Sequence, residues 1–250
     1  MDFQDALLTP RQYFQFLAQK GEFPPSYKPP EIVMFVFQKA ALQHILAQHT
    51  HQKGKSFLSK MAFLDKAPIA VCGGFGVGAP ALAIKLEELI AWGVKRFISV
   101  GTCAVLTSDV KMHSQVIATK ACGIDGVSKY YVDAGEEIEA DQDLKNLYLS
   151  YAMKEGVSLR PVKVMTTDLL FGTSKRHVDD YTKAHADILD MECAAFYAIC
   201  KKRKVSALSL FTTSDSLAEE DWIPGFDSDT TASELKKLVD LSLRFCFECL

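Results

Sequence analysis

Short β-rich apolar runs alternate along most of the chain with longer runs at helical spacing. The short runs are 32-IVMFVF-37, 69-IAVC-72, 97-FISVG-101, 115-QVIAT-119, 162-VKVMT-166 and 205-VSALSLFTT-213. Helical spacing follows the first run to about His49, fills Pro80 to Trp92, and resumes from about Thr231 to the C-terminus. Strands apolar on both faces, separated by helices, predict a mixed, largely parallel sheet flanked by helices, an α/β three-layer sandwich. The first 30 residues do not share this alternation. A short amphipathic stretch from Pro10 to Lys20 leads into 23-FPPSYKPP-30, whose prolines exclude a regular helix or a central strand. The chain therefore reads as an N-terminal leader, 1–30, followed by a single domain, 31–250.

In an open α/β sheet, ligands collect at the carboxyl ends of strands. Three loops stand there. The loop 73-GGFGVGAP-80 joins a strand to a helix opened by Pro80, and its glycines let backbone N–H groups approach an anion or a hydroxyl closely. Its spacing is G-x-G-x-G-A rather than G-x-G-x-x-G, and no acid closes the next strand, which argues against a nicotinamide site. A simple tight turn explains it equally well. The loop 101-GTCAV-105 presents Thr102 as a turn residue or a ligand contact. Ser214-Asp215 presents a carboxyl that is either a helix cap or a general acid.

A different question is raised by 188-ILDMECAAFYAIC-200. Ile188, Leu189, Met191, Ala194, Ala195, Phe196, Ile199 and Cys200 leave almost no polar stripe. The segment reads as a helix buried on most sides, with Asp190 as N-cap and Glu192 in its first turn. A buried carboxylate is costly unless something satisfies it. Either Glu192 answers the helix dipole, or it faces a cavity and accepts hydrogen bonds from vicinal hydroxyls such as those of a ribose.

With 250 residues and 48% hydrophobic content, the chain suits one large α/β domain. A net charge of −3 gives no electrostatic footprint for nucleic acid or an anionic membrane, leaving small molecules as the expected partners. No run approaches the roughly 20 apolar residues of a membrane span, and Asp2 and Asp5 do not suit a secretory signal. A cytoplasmic location follows as an expectation. The 7 cysteines read as reduced core residues, and Cys246 with Cys249 forms an isolated CxxC that suits packing better than a metal site.

Taken together, 74-GFGVGAPALAIKLEELIAWGVKRFISVGTCAVL-106, 190-DMECAAFYAIC-200 and Ser214-Asp215 resemble the nucleoside phosphorylase superfamily. That family includes hexameric purine nucleoside phosphorylases, uridine phosphorylases and methylthioadenosine nucleosidases. The resemblance implies that Glu192 binds the ribose hydroxyls, that Met191 packs on the sugar, and that Asp215 is the acid at N7 of a purine. Cys103 and Ser214 join the nucleoside-binding set. In 166-TTDLLFGTSKR-176, Phe171 would flank the base. Arg176 resembles a pyrimidine-contacting arginine of uridine phosphorylases, with Ser174 in place of their glutamine. Thr102 and Gly76 remain as phosphate contacts. Phosphate is a co-substrate and no other cofactor or metal is implied; the family forms homo-oligomers, here a dimer or a trimer of dimers.

The nucleophile site departs from the family pattern. Phosphorolytic members carry a glycine- and arginine-containing loop after the first strand, where this chain reads 35-FVFQKAALQ-43 with only Lys39 charged. They carry another arginine where Ser99 stands, and one downstream of the base acid, where 218-AEEDWIPGFDSDTT-231 has none. Phosphate wants charge-assisted, often bidentate donors. Lys53, Lys55, Lys60 or Arg176 supplied by a neighbouring subunit would meet that need. Two alternatives stay open: a nucleosidase that uses water, and a non-catalytic nucleoside- or nucleotide-binding protein.

Overall fold

The computed structural model describes residues 6–21, 28–54, 60–65, 67–133 and 135–250. At its centre β1 (Ile32–Val36), buried at every residue, lies parallel between β4 (Ile69–Gly73) and β5 (Arg96–Val105). Beyond β5 runs β10 (Ser206–Ser216), again parallel. Antiparallel partners finish the edges. β3 (Met61–Leu64) and β2 (His51–Lys53) extend the sheet past β4, and β6 (Gln115–Gly123) runs against β10. β8 (Arg160–Thr166) is parallel to β6, β7 (Ile138–Glu139) pairs with β6, and β9 (Ile188–Asp190) joins β8 to β5. Strands β5, β10, β6, β8 and β9 therefore close into a ring within the larger sheet.

Helices complete the three layers. One group is α1 (Pro10–Gln19), α3 (Ala79–Trp92) and α6 (Cys193–Arg203), with α1 packed on α3 and α3 on α6. The other is α2 (Lys39–Gln48), α4 (Gln142–Lys154) and α7 (Asp229–Cys249), with α2 and α4 packed on α7. α5 (Lys175–Lys183) lies between β8 and β9 in the chain. Every residue of α6 from Cys193 to Cys200 is buried, as its all-round apolar sequence requires. Of the leader, Pro10 to Gln19 forms α1, begun by a capping box between Thr9 and Gln12 and anchored by buried Phe14 and Leu17. Most of 23-FPPSYKPP-30 lies outside the described residues.

Several expectations need correction. Residues 188–190 form strand β9, and α6 begins only at Cys193, with Glu192 at its N-cap position. Apolar Ile188 and Leu189 serve a buried strand as well as a buried helix, so composition could not separate the two. The short edge strands β2 and β3, the two-residue β7, and helices α4 and α5 also lie where the apolar pattern was too weak or too polar to show them. Cys246 is part of the core and Cys249 packs against it. No helix among the described residues is long and apolar enough to cross a membrane.

Candidate active site

β4 delivers the chain into the glycine loop, whose conformation follows from its composition. Gly76 (φ 116°) and Gly78 (φ 95°) occupy backbone conformations that residues with a Cβ avoid. The loop brings the Gly78 N–H to Glu192 Oε1, to which it donates at 2.5 Å. Pro80 then opens α3 in the first turn, where its missing N–H has no helical partner to lose.

Glu192 is 8% exposed and belongs to a carboxylate network at the start of α6. Asp190 Oδ2 accepts the Cys193 N–H at 2.7 Å and the Glu192 N–H at 3.1 Å, satisfying donors that a helix start otherwise leaves open. Asp190 Oδ1 accepts the Thr166 hydroxyl at 2.5 Å, and Thr166 Oγ1 accepts the Ala194 N–H at 2.9 Å. Asp190 thus does the capping, and Glu192, though at the N-cap position, makes no side-chain cap bond. Its carboxylate instead points to the glycine loop. Burial pushes Glu192 up to about 8, the Asp190 charge adds to the rise, and the Gly78 and Met191 N–H groups oppose it. Burial likewise raises Asp190 to about 6, against the hydrogen bonds from Thr166, Cys193 and Glu192.

Strand register brings the other loops alongside. Thr102 lies beside Thr212 and Cys103 beside Thr213, and a bulge at Ser214 then sets Asp215 beside Ala104. On the opposite edge of β5, Ala104 pairs with Leu189 of β9. The buried Ser214 hydroxyl is shared between Asp215 Oδ1 at 2.7 Å and the Cys103 carbonyl at 3.2 Å. Asp215 is half-buried, and its Oδ2 accepts the Trp222 indole N–H at 2.9 Å. Desolvation, with the charges of Asp190 and Asp215, holds the buried Cys103 thiol well above its usual range, so it lines the site as an uncharged group.

Thr102, half-buried, accepts a hydrogen bond from Gln38 Nε2 at 2.9 Å across the ends of β5 and β1. Gln38 Oε1 is buried without a partner among the described residues. Gly76 is exposed on the loop and Met191 half-buried between the two acids. Lys39 is exposed on the first turn of α2; Lys53 and Lys60 are exposed toward the β2–β3 edge, and Lys55 lies outside the described residues.

Two of the expected site residues are not drawn into this cluster. Phe171 is 85% exposed on the loop between β8 and α5, beside exposed Leu169 and Leu170. Arg176 is exposed on the first turn of α5. The segment leaves β8 at Thr166 and carries its aromatic side chain exposed. Sequence reasoning missed Thr166, Gln38 and Trp222. Each is a lone polar or amphipathic residue in a loop or at a strand end, and only the fold gives it a partner. Two surface hollows, of about 280 Å³ around Tyr197 and Lys204 and about 500 Å³ around His113 and Arg244, lie away from Glu192, Thr102 and Asp215. The chemistry, not the hollows, marks the site.

Known proteins share this arrangement of chain. A guanosine phosphorylase of Halorubrum lacusprofundi is 28% identical over 176 residues, which cover 70% of this chain and 72% of that protein. Among solved structures, a purine nucleoside phosphorylase from Toxoplasma gondii in complex with immucillin-H superposes with a TM-score of 0.75 at 19% identity, covering 88% of this chain and 91% of that one. A 5′-methylthioadenosine/S-adenosyl homocysteine nucleosidase from Campylobacter jejuni gives 0.74 at 18% identity, covering 86% and 98%. At such identities the structures share the fold. The family assignment rests on residues 36–245, which match the model of the phosphorylase superfamily, and the chain belongs to that superfamily.

Proposed function

We propose that the protein cleaves the N-glycosidic bond of a purine nucleoside, with phosphate as acceptor and no other cofactor. One observation carries the reading: a nearly buried Glu192 carboxylate, turned away from helix capping, meets the glycine loop through the Gly78 N–H. A ribose entering this space replaces lost water with its 2′- and 3′-hydroxyls, which donate to Glu192. Breaking the bond leaves positive charge on the sugar and negative charge on the base. Asp215 gives a proton to the purine as the C–N electron pair departs with it, and the nucleophile attacks the opposite face of C1′. Met191 packs on the sugar; Cys103 and Ser214 line the base side. The purine assignment is supported by the names of the similar phosphorylases.

Thr102 and the Gly76 loop are the phosphate contacts in this reading, joined by Gln38. All are neutral. They predict weak phosphate saturation unless Lys53, Lys55, Lys60 or Arg176 of a second subunit adds charge in a homo-oligomer, a dimer or a trimer of dimers. The protein works in the cytoplasm in this reading. A second reading, with water as acceptor, is favoured by Gln38: its Oε1 is buried without a partner among the described residues, an acceptor that a water can satisfy with no charge to neutralise. The test incubates the purified protein with a nucleoside panel in phosphate-free buffer, then titrates phosphate while separating ribose 1-phosphate from free ribose. Phosphate-dependent sugar phosphate supports the first reading and phosphate-independent ribose the second. Binding without release of base would identify a nucleoside-binding protein.

A further inference from the structure

The end of β10 carries a device that the base-side chemistry above does not use. Asp215 has a donor on each oxygen, and the two are unequal. Ser214 divides one hydroxyl proton between Asp215 Oδ1 and the Cys103 carbonyl. The Trp222 indole has one N–H and spends it on Asp215 Oδ2, at 2.9 Å. The segment 218–231 that supplies it contains neither arginine nor lysine.

The indole is held where it is by the loop on both sides of it. Ser216 and Ile223 exchange two backbone hydrogen bonds, each 2.9 Å, so the chain returns to β10 directly after Trp222. Gly225 then lies so close to β10 that a Cβ there would meet the Ser214 carbonyl at 2.5 Å. Thr231 donates to the Gly225 carbonyl at 2.7 Å and ties the loop to the start of α7. Phe226 stacks on the indole with ring centroids 6.0 Å apart and 23° between planes. Trp222 is nonetheless 51% exposed, so burial does not explain its fixed position.

We propose that Trp222 is a positioning residue for Asp215 that assists purine departure by stabilising the charge Asp215 acquires. This rests on the purine-cleaving reading. In the reaction the Asp215 proton passes to the purine nitrogen as the C–N bond breaks, and Asp215 becomes a carboxylate. A hydrogen bond from a neutral N–H strengthens when its acceptor becomes charged. The Trp222 contact is therefore stronger in the transition state than in the ground state, and only such a difference speeds the chemical step. It is a neutral donor where a cation would otherwise serve.

The experiment compares wild type with Trp222→Phe, which leaves an aromatic ring to pack on Phe226 but removes the N–H. Each is assayed with guanosine and with 7-methylguanosine, whose N7 is already methylated and needs no proton to leave. Trp222→Phe should lower kcat for guanosine about 10-fold with little change in KM, and should change kcat for 7-methylguanosine less than about 2-fold. The second substrate also reports that the site is folded. Equal slowing of both substrates would show a packing role, no slowing would show an idle contact, and either overturns the proposal. A wild type that cleaves neither nucleoside overturns the functional reading itself, and this inference with it.

Discussion

Replacing Glu192 by glutamine should make the unliganded protein more resistant to alkaline pH while it weakens catalysis. The two effects have one origin. Burial raises the Glu192 carboxyl from 4.5 to about 8, so the folded state holds its proton far longer than the unfolded chain does. A raised acid contributes stability that is fully present below 4.5 and is lost as pH climbs through about 8. Between pH 6 and pH 9 the folded state forfeits about two units of this difference before it ionises, on the order of 3 kcal/mol. The amide introduced by Glu192→Gln does not titrate, and its carbonyl oxygen still accepts the Gly78 N–H. The variant should therefore gain on wild type between those pH values by roughly 5–10 °C in Tm, whatever its packing cost at either one. Asp190, raised to about 6, loses stability in the same direction but is present in both proteins. Scanning calorimetry at the two pH values measures the difference. Activity moves the other way: losing charge-assisted bonds to two ribose hydroxyls should slow turnover at least about 10-fold. Parallel Tm shifts of the two proteins with pH would refute the buried-carboxylate argument, and undiminished turnover would refute the ribose contact.

Other consequences are open to direct test. Nucleoside binding near pH 7 should release a proton as ribose hydroxyls come to favour ionised Glu192, seen by titration calorimetry in buffers of different ionisation enthalpy, and Glu192→Gln should abolish the release. Asp215→Asn should depress guanosine cleavage far more than 7-methylguanosine cleavage, and uridine cleavage without guanosine cleavage in the wild type would remove the purine assignment. Thr166→Val strands a buried oxygen of Asp190 and the Ala194 N–H, so it should cost about 1–3 kcal/mol in urea unfolding. Gly78→Ala strains a backbone at φ 95° and moves the donor to Glu192, so it should lower both Tm and turnover.

What the sequence made legible was what depends on local pattern. Runs such as 32-IVMFVF-37 specify buried strands by composition alone, and the loops at their carboxyl ends could be found by counting from them. The burial of one acid was legible for a related reason: Glu192 stood out because its neighbours left it no water, and it is 8% exposed. Its partner did not, since Gly78 lies 114 residues away and only the folding of β4 against β1 and of α3 against α6 joins the two. The ring of β5, β10, β6, β8 and β9 was invisible for the same reason, because closure is a property of pairings and not of any one strand. The exposure of Phe171 was not legible: hydrophobicity suggested a covered aromatic, but the side chain stands 85% exposed on the loop between β8 and α5.

If the proposed purine-cleaving site holds, the contrast between the two ends of the reacting bond is the feature that bears most on mechanism. On the leaving-group side, Asp215 is held by Ser214 and Trp222 in fixed geometry. On the sugar side, Glu192 is buried and protonated more readily than a free carboxyl. At the proposed acceptor site, Thr102 and Gln38 bond to each other through neutral groups, leaving Gln38 Oε1 unsatisfied among the described residues. A buried acceptor without a donor costs about 1–3 kcal/mol, a cost that disappears when a donor arrives. Water supplies that donor, and a phosphate P–OH does so more readily from the monoanion, which has two, than from the dianion, which has one and costs more to desolvate among neutral groups. If phosphate is the nucleophile, its saturation should therefore tighten as pH falls through its second ionisation, the reverse of a site built from arginines. Gln38→Glu should abolish phosphate dependence while sparing any hydrolysis. Phosphate saturation that tightens with rising pH would show that a cation from a second subunit, and not Gln38, governs the acceptor site.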